Sequence, residues 1–165
     1  MAAPHRVPTV ITVDPSSELG QRALRSYWEE IVGRYWRRPA TATEIDAVLR
    51  DEPSNDLILP SGLLVVAVAD REPVGCGGVR FLCEGIAELT RVHVEVPLRR
   101  RGLGARIVCH LERQALDHGR SHMRLDVRGD LIEARAMYAR LGYREVPRFN
   151  AHPYVEHWFE KRLAA

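Results

Sequence analysis

The spacing of apolar and polar positions divides the chain into short strands and amphipathic helices. Residues 7–13 alternate weakly and include β-branched side chains, which predicts a first strand; Asp14, Pro15 and Ser16 then punctuate it and offer a helix cap. Leu24, Trp28, Ile31 and Tyr35 recur at helical spacing, and that pattern runs out before Arg37-Arg38-Pro39, where the proline disfavours further helix. Thr43 resembles a second N-cap, followed by the short stripe Ile45, Val48 and Leu49 and by a polar, proline-containing stretch at 51–60.

Residues 62–69 form a valine-rich apolar run too short for most helices, and turn chemistry at 70–73 joins it to 74–82 as a hairpin. A third strand over 86–96 has Glu88, Thr90, Val92 and Val94 on one face, and Leu89, Arg91, His93 and Glu95 on the other. Leu103, Ile107, Leu111 and Ala115 make a helical core stripe closed by Gly119 in the C′ position. Residues 122–127 alternate again; Ala134, Met137, Tyr138 and Leu141 predict a helix stopping at Gly142; 143–146 and 155–163 can pair as the last two strands. With no repeat, low-complexity tract or linker, the expectation is one domain over residues 1–165, with a core from about 7 to 163.

Composition adds limits. The chain has 165 residues, 45% of them hydrophobic, enough for an ordinary two-layer core. Twenty-four basic residues nearly balance twenty-two acidic ones, leaving +2, which does not announce a nucleic-acid partner. Lys161 is the only lysine, and no mechanism is drawn from the arginine excess. Cys76, Cys83 and Cys109 are odd in number and lack metal-like spacing, which suits reduced thiols in a cytoplasmic protein. Residues 1–8 contain no long apolar run, so neither a signal peptide nor a membrane span is expected.

The chemistry concentrates between the strand ending near Val96 and the helix beginning near Gly102, in the segment VEVPLRRRGLGA at 94–105. Gly102 and Gly104 remove side chains where a ligand must approach the backbone, and a helix start presents unpaired N–H groups carrying partial positive charge. A diphosphate fits such a cradle. Arg99, Arg100 and Arg101 add charge, although only one or two of them could point at one ligand.

These residues resemble the GNAT superfamily of acyl-CoA N-acyltransferases, whose signature of Arg or Gln, two residues, Gly, one residue, and Gly or Ala is met by Arg99, Gly102 and Gly104. The resemblance extends to Ala87-Glu88-Leu89-Thr90-Arg91-Val92, which looks like the family's fourth strand, and to Tyr138, Gly142 and Tyr143, which look like the end of its later helix. It implies an α/β fold with a mixed, mostly antiparallel central sheet splayed between strands 4 and 5 and helices on both faces. It further implies acetyl-CoA as cosubstrate with no metal, the pantetheine arm lying along Val92, His93 and Val94, and the diphosphate on the backbone of Arg99 through Ala105, including Arg100, Arg101, Leu103 and Gly104, with Ala134 leaving room. Acetyl transfer needs a neutral amine and a proton for the departing thiolate; the resemblance offers Glu88 as base and Tyr138 as acid. An asparagine often precedes the tyrosine helix in the family; Asp130 and Leu131 stand there instead, and Asp130 is expected to cap that helix.

Each assignment has a plainer alternative. Glu88 could be a strand carboxylate in a salt bridge, and Tyr138 a core aromatic. Trp28 is expected in the core, whereas Tyr35 and Trp36 could line the acceptor pocket; Cys76 is expected to pack in a strand. His118 and His122 have a zinc-like spacing without a cysteine pair. The segment 149–154 is a loop that could close over substrate or simply connect elements. The resulting expectation is a small-molecule amine N-acetyltransferase without nucleic-acid or membrane partner. A protein or peptide acceptor, a non-catalytic CoA-binding sensor and a homodimer all remain open.

Overall fold

The structure, a computed structural model, describes residues 6–83 and 85–164. Strand β1 (Thr9–Val13) leads into helix α1 (Glu18–Trp36), capped by Ser17, whose hydroxyl accepts from the Gly20 N–H. α1 ends at Arg37, a left-handed residue two positions before Pro39. Helix α2 (Ala42–Asp51) begins two residues earlier than the Thr43 cap would place it, because Thr41 and Glu44 form a reciprocal capping box. β2 (Gly62–Ala69) and β3 (Glu72–Phe81) make the expected hairpin, turning through Asp70 and Arg71, both at positive φ. β4 (Ile86–Val94) follows, then a 3₁₀ turn over Val96–Leu98, helix α3 (Leu103–Asp117), β5 (His122–Val127), helix α4 (Ile132–Arg140), β6 (Arg144–Glu145) and β7 (His157–Arg162).

The strands form one seven-stranded sheet in the order β1-β2-β3-β4-β5-β7-β6, antiparallel except where β4 meets β5. β2 is apolar throughout because both of its faces are covered. Leu63, Val65 and Ala67 join Ile107, Val108 and Leu111 of α3 in the main core, while Val66 packs with Ala23 of α1 and Leu64 with Leu24 and Leu57. α3 and α4 therefore cover one face, and α1 and α2 the other. Trp28 is buried, as expected. No helix among the described residues is long and apolar enough to cross a membrane.

Strict alternation along β4 fails. The β3–β4 register slips between Cys76 and Gly78, so that Arg91 and Val92 together face Gly77, with Arg91 at φ 55°. This bulge turns the strand over. Before it, Ala87 and Leu89 point to the α3 core; after it, Val92 and Val94 do. Glu88 therefore does not share a face with Val92 and Val94, as unbroken alternation predicted, but lies with Thr90, Arg91 and His93 on the α1 face. Asp130 does not cap α4 either. Leu131 holds the N-cap position without a side-chain bond, and the Asp130 carboxylate is engaged by Arg128 at 3.0 Å.

Candidate active site

β4 and β5 part company early. They pair only at Ile86–His122, Ala87–Met123 and Glu88–Arg124. Beyond Glu88 the β5-facing edge of β4 has no strand partner, although β3 continues beside its other edge. A wedge-shaped gap opens there, lined by backbone groups that need hydrogen-bond partners.

The gap leads to the start of α3. The first helical bond is donated by the Arg106 N–H to the Gly102 carbonyl at 3.0 Å, which leaves the Leu103, Gly104 and Ala105 N–H groups without acceptors inside the helix. Arg100 (φ 64°) and Gly102 (φ 79°) are both left-handed and curl the preceding loop into an anion-binding concavity. A Cβ on Gly102 would meet nothing within 4 Å, so this glycine answers a backbone requirement and not a steric one. A Cβ on Gly104 would stand 3.0 Å from the Met137 sulfur and 3.7 Å from Val94, so the glycine keeps α3 close to α4 and to the end of β4. Ala134 lies partly buried in the first turns of α4, against the same core. Free amides, a curled glycine loop and exposed Arg100 and Arg101 suit a diphosphate, and the unpaired β4 edge suits the amide-bearing arm of an acyl-CoA.

Arg99 has a different position from its two neighbours. Its N–H is bonded to Val96 O at 3.2 Å, its Nε donates to Val94 O at 2.8 Å, and its Nη2 lies 3.1 Å from Glu30 of α1. Arg99 thus braces the loop, and the available amides begin after it. His93 is buried beside Glu95, at 3.4 Å, and burial lowers its pKa.

On the α1 face Glu88 lies opposite Arg80 of β3, whose Nη1 is 3.2 Å from the carboxylate and whose Nε bonds Asp56 at 2.6 Å. The salt-bridge alternative for Glu88 is thus realised, with Arg80 as partner. Arg91 is buried, stacked on Trp28 at 4.7 Å and bonded to Ser54. Tyr138 is buried with its ring edge-on to Tyr143 at 5.7 Å, and its phenol is pushed well above its ordinary pKa by burial and by the nearby Tyr27. Cys76 is enclosed, its thiol 3.2 Å from the Arg91 carbonyl and raised to about 12 by burial, which leaves it inert as a nucleophile. His118 stacks on Phe81 at 4.8 Å and His122 bonds Ser121 at 2.8 Å. Among the described residues no group of three His, Cys, Asp or Glu could hold a metal.

One cluster escaped the sequence pattern. Asp126 Oδ2 is 2.6 Å from both His152 Nδ1 and Asn150 Nδ2, and Asn150 Oδ1 accepts from the Trp158 indole at 2.9 Å. Asp126 alternates with core residues Leu125 and Val127, so its outward direction was legible; its partners 24 and 26 residues away were not. Nearby, Tyr154 packs on Tyr35 of α1 at 5.2 Å, and Arg128 caps the Tyr35 ring. Surface hollows of about 560 and 640 Å³ flank β1 at the outer edge of the sheet, three strands from the gap, and are not the site that the backbone geometry marks.

The sequence has no match among curated proteins. Solved structures resemble the fold over nearly its whole length. A GNAT-family acetyltransferase from Staphylococcus aureus MU50 superposes with a TM-score of 0.75 at 14% identity, over 94% of this chain and 100% of the other. The PaiA N-acetyltransferase of Thermoplasma acidophilum, solved with coenzyme A, gives 0.71 at 16% identity, over 93% and 99%. An aminoglycoside 6′-N-acetyltransferase complexed with coenzyme A gives 0.64 at 18% identity, over 95% and 98%. Residues 24–143 match the Acetyltransferase (GNAT) family, and on that match, which covers well over half its length, the chain belongs to this family of acetyltransferases.

Proposed function

We propose that this protein transfers the acetyl group of acetyl-CoA to a primary amine of a small molecule, by direct attack within a ternary complex. The observation that carries this reading is the early divergence of β4 from β5, which runs straight into the free amides of α3. An acyl-CoA laid along that path would have its diphosphate at residues 100–105 and its thioester near the β4 bulge. The acceptor would enter from the α1 face, the side on which the Tyr35–Tyr154 contact lies, and a small molecule is the acceptor we favour over a protein side chain. Aminoglycoside acetyltransferases among the structural neighbours are consistent with such an acceptor.

In this reading Tyr138 protonates the departing thiolate. Its burial keeps the phenol protonated well beyond neutral pH, as an acid in this role requires. Glu88 attracts and orients the acceptor ammonium with the side of its carboxylate that Arg80 leaves open. The test is thiol release from acetyl-CoA across amino acids, polyamines, aminoglycosides, arylalkylamines and short peptides. Turnover confined to one small-molecule class supports the proposal. Turnover only with peptides replaces it with a protein acceptor, and saturable acetyl-CoA binding without any turnover replaces it with a sensor.

A further inference from the structure

The side chain of His152 is 58% exposed, yet one of its nitrogens is held in place. Nδ1 lies 2.6 Å from Asp126 Oδ2, and a carboxylate can only accept, so Nδ1 carries the hydrogen and, in the neutral imidazole, the basic lone pair is on Nε2. The carboxylate is fixed in turn. Asn150 Nδ2 donates to the same oxygen, Trp158 of β7 donates to Asn150 Oδ1, and the His152 N–H approaches that Oδ1 at 3.4 Å. A loop tied to β5 and β7 by three side chains is built to hold an imidazole in one orientation.

Its location bears on the transfer reaction. Asp126 lies two residues beyond Arg124, the last β5 residue paired with β4, and therefore in the open part of the gap. It points away from the α3 core, toward the α1 face where an acceptor would enter. Glu88 stands on the β4 lip of the gap and the Asp126–His152 pair on the β5 side.

We propose that His152 is a catalytic base that takes the proton of the acceptor ammonium on Nε2, with Asp126 as the positioning residue that fixes its tautomer. The proposal rests on the acetyl-transfer reading above. The ammonium gives one proton to Nε2 and becomes a neutral amine. Its nitrogen then bonds to the thioester carbonyl carbon, the C–S bond breaks, and the sulfur leaves with the electron pair and takes the second nitrogen-borne proton by way of Tyr138. The imidazolium returns the first proton to solvent.

The experiment compares two nucleophiles in the same assay of thiol release from acetyl-CoA. One is the primary amine that wild type turns over best; the other is hydroxylamine, which is already neutral at neutral pH and needs no base before it attacks. For His152→Gln, which keeps a donor toward Asp126 but has no basic nitrogen, the expected result is a loss of about 100-fold with the primary amine, the scale of one general base. Reaction with hydroxylamine and binding of acetyl-CoA are expected to stay near wild type. Asp126→Asn should show the same partition to a smaller degree, and added imidazole should restore primary-amine turnover to His152→Ala. Equal losses with both nucleophiles would mean that the pair only pins the loop, and no loss with either would remove His152 from the reaction; each result overturns the proposal. Wild type that binds acetyl-CoA but releases no thiol to any amine or to hydroxylamine defeats the transfer reading itself and the base with it. That failure is visible before any variant is made.

Discussion

Arg80 and Glu88 face each other directly across β3 and β4, guanidinium to carboxylate at 3.2 Å. If Glu88 attracts and orients the acceptor ammonium, Glu88→Gln should lower kcat/KM by about 10-fold, chiefly by raising KM for the amine, while leaving acetyl-CoA binding intact. Arg80→Gln frees the carboxylate and should have a much smaller effect. If Arg80→Gln is as damaging as Glu88→Gln, the pair serves sheet structure and the catalytic assignment fails.

Tyr138 makes a sharper case. Tyr138→Phe keeps the ring in the core against Tyr143 and Phe159 and removes only the hydroxyl, so the fold should survive. Turnover with an amine should fall about 100-fold or more if the hydroxyl protonates the thiolate. Because burial holds the phenol above the ordinary value of 10.0, wild-type activity should show no falling limb from this group as pH rises toward that value. A variant with unchanged turnover would make Tyr138 a core aromatic only.

The phosphate cradle can be tested through its backbone. Gly102 sits at φ 79° with open space around its α-carbon, so Gly102→Ala introduces no collision, only a side chain in the left-handed region. The expected loss is about 1 kcal/mol of stability, with weaker acetyl-CoA binding as the loop shifts toward a relaxed conformation. Calorimetric binding and urea midpoints measure both. Unchanged binding alongside lowered stability would separate the glycine from the cofactor site.

Periodicity made the strand and helix order legible because the main apolar stripes, such as Leu103, Ile107, Leu111 and Ala115, face a single core. The glycine cradle was legible because its spacing is local. Two features were hidden for physical reasons. The bulge at Arg91 and Val92 adds one residue to β4 without any proline or glycine in that strand to mark it, since the glycines lie on the partner, at Gly75, Gly77 and Gly78. The Asp126 network joins β5 to a loop and to β7, and nothing in the local sequence of any of them specifies that meeting.

Glu112 tests the interior on the α3 side. It is nearly buried, accepts from the Tyr143 hydroxyl at 2.9 Å, and has both carboxylate oxygens 3.0 Å from the chain's only lysine, Lys161. Lys161→Met leaves that carboxylate without its cation. The expected destabilisation is about 2 kcal/mol, below the figure for a fully enclosed pair because the lysine is partly exposed. Glu112→Gln with Lys161→Met should recover part of the loss. If the double variant is no better than Lys161→Met alone, the unpaired charge is not the cause.

His93 gives a pH dependence whose sign follows from its burial. Enclosure disfavours the imidazolium, so the folded-state pKa lies below 6.5, despite the opposing pull of Glu95. As pH falls through 6.5, unfolded chains take up a proton at this position while folded ones do not. Stability from His93 is therefore present above 6.5 and is lost progressively on acidification, levelling off once pH has passed the folded-state value. His93→Gln cannot charge, so its stability should fall less steeply than that of wild type over the same interval. Urea midpoints measured on both proteins between about pH 7 and pH 5 decide the matter. Parallel curves would show that His93 is protonated as easily in the fold as out of it, and a steeper fall in the variant would reverse the sign argued here.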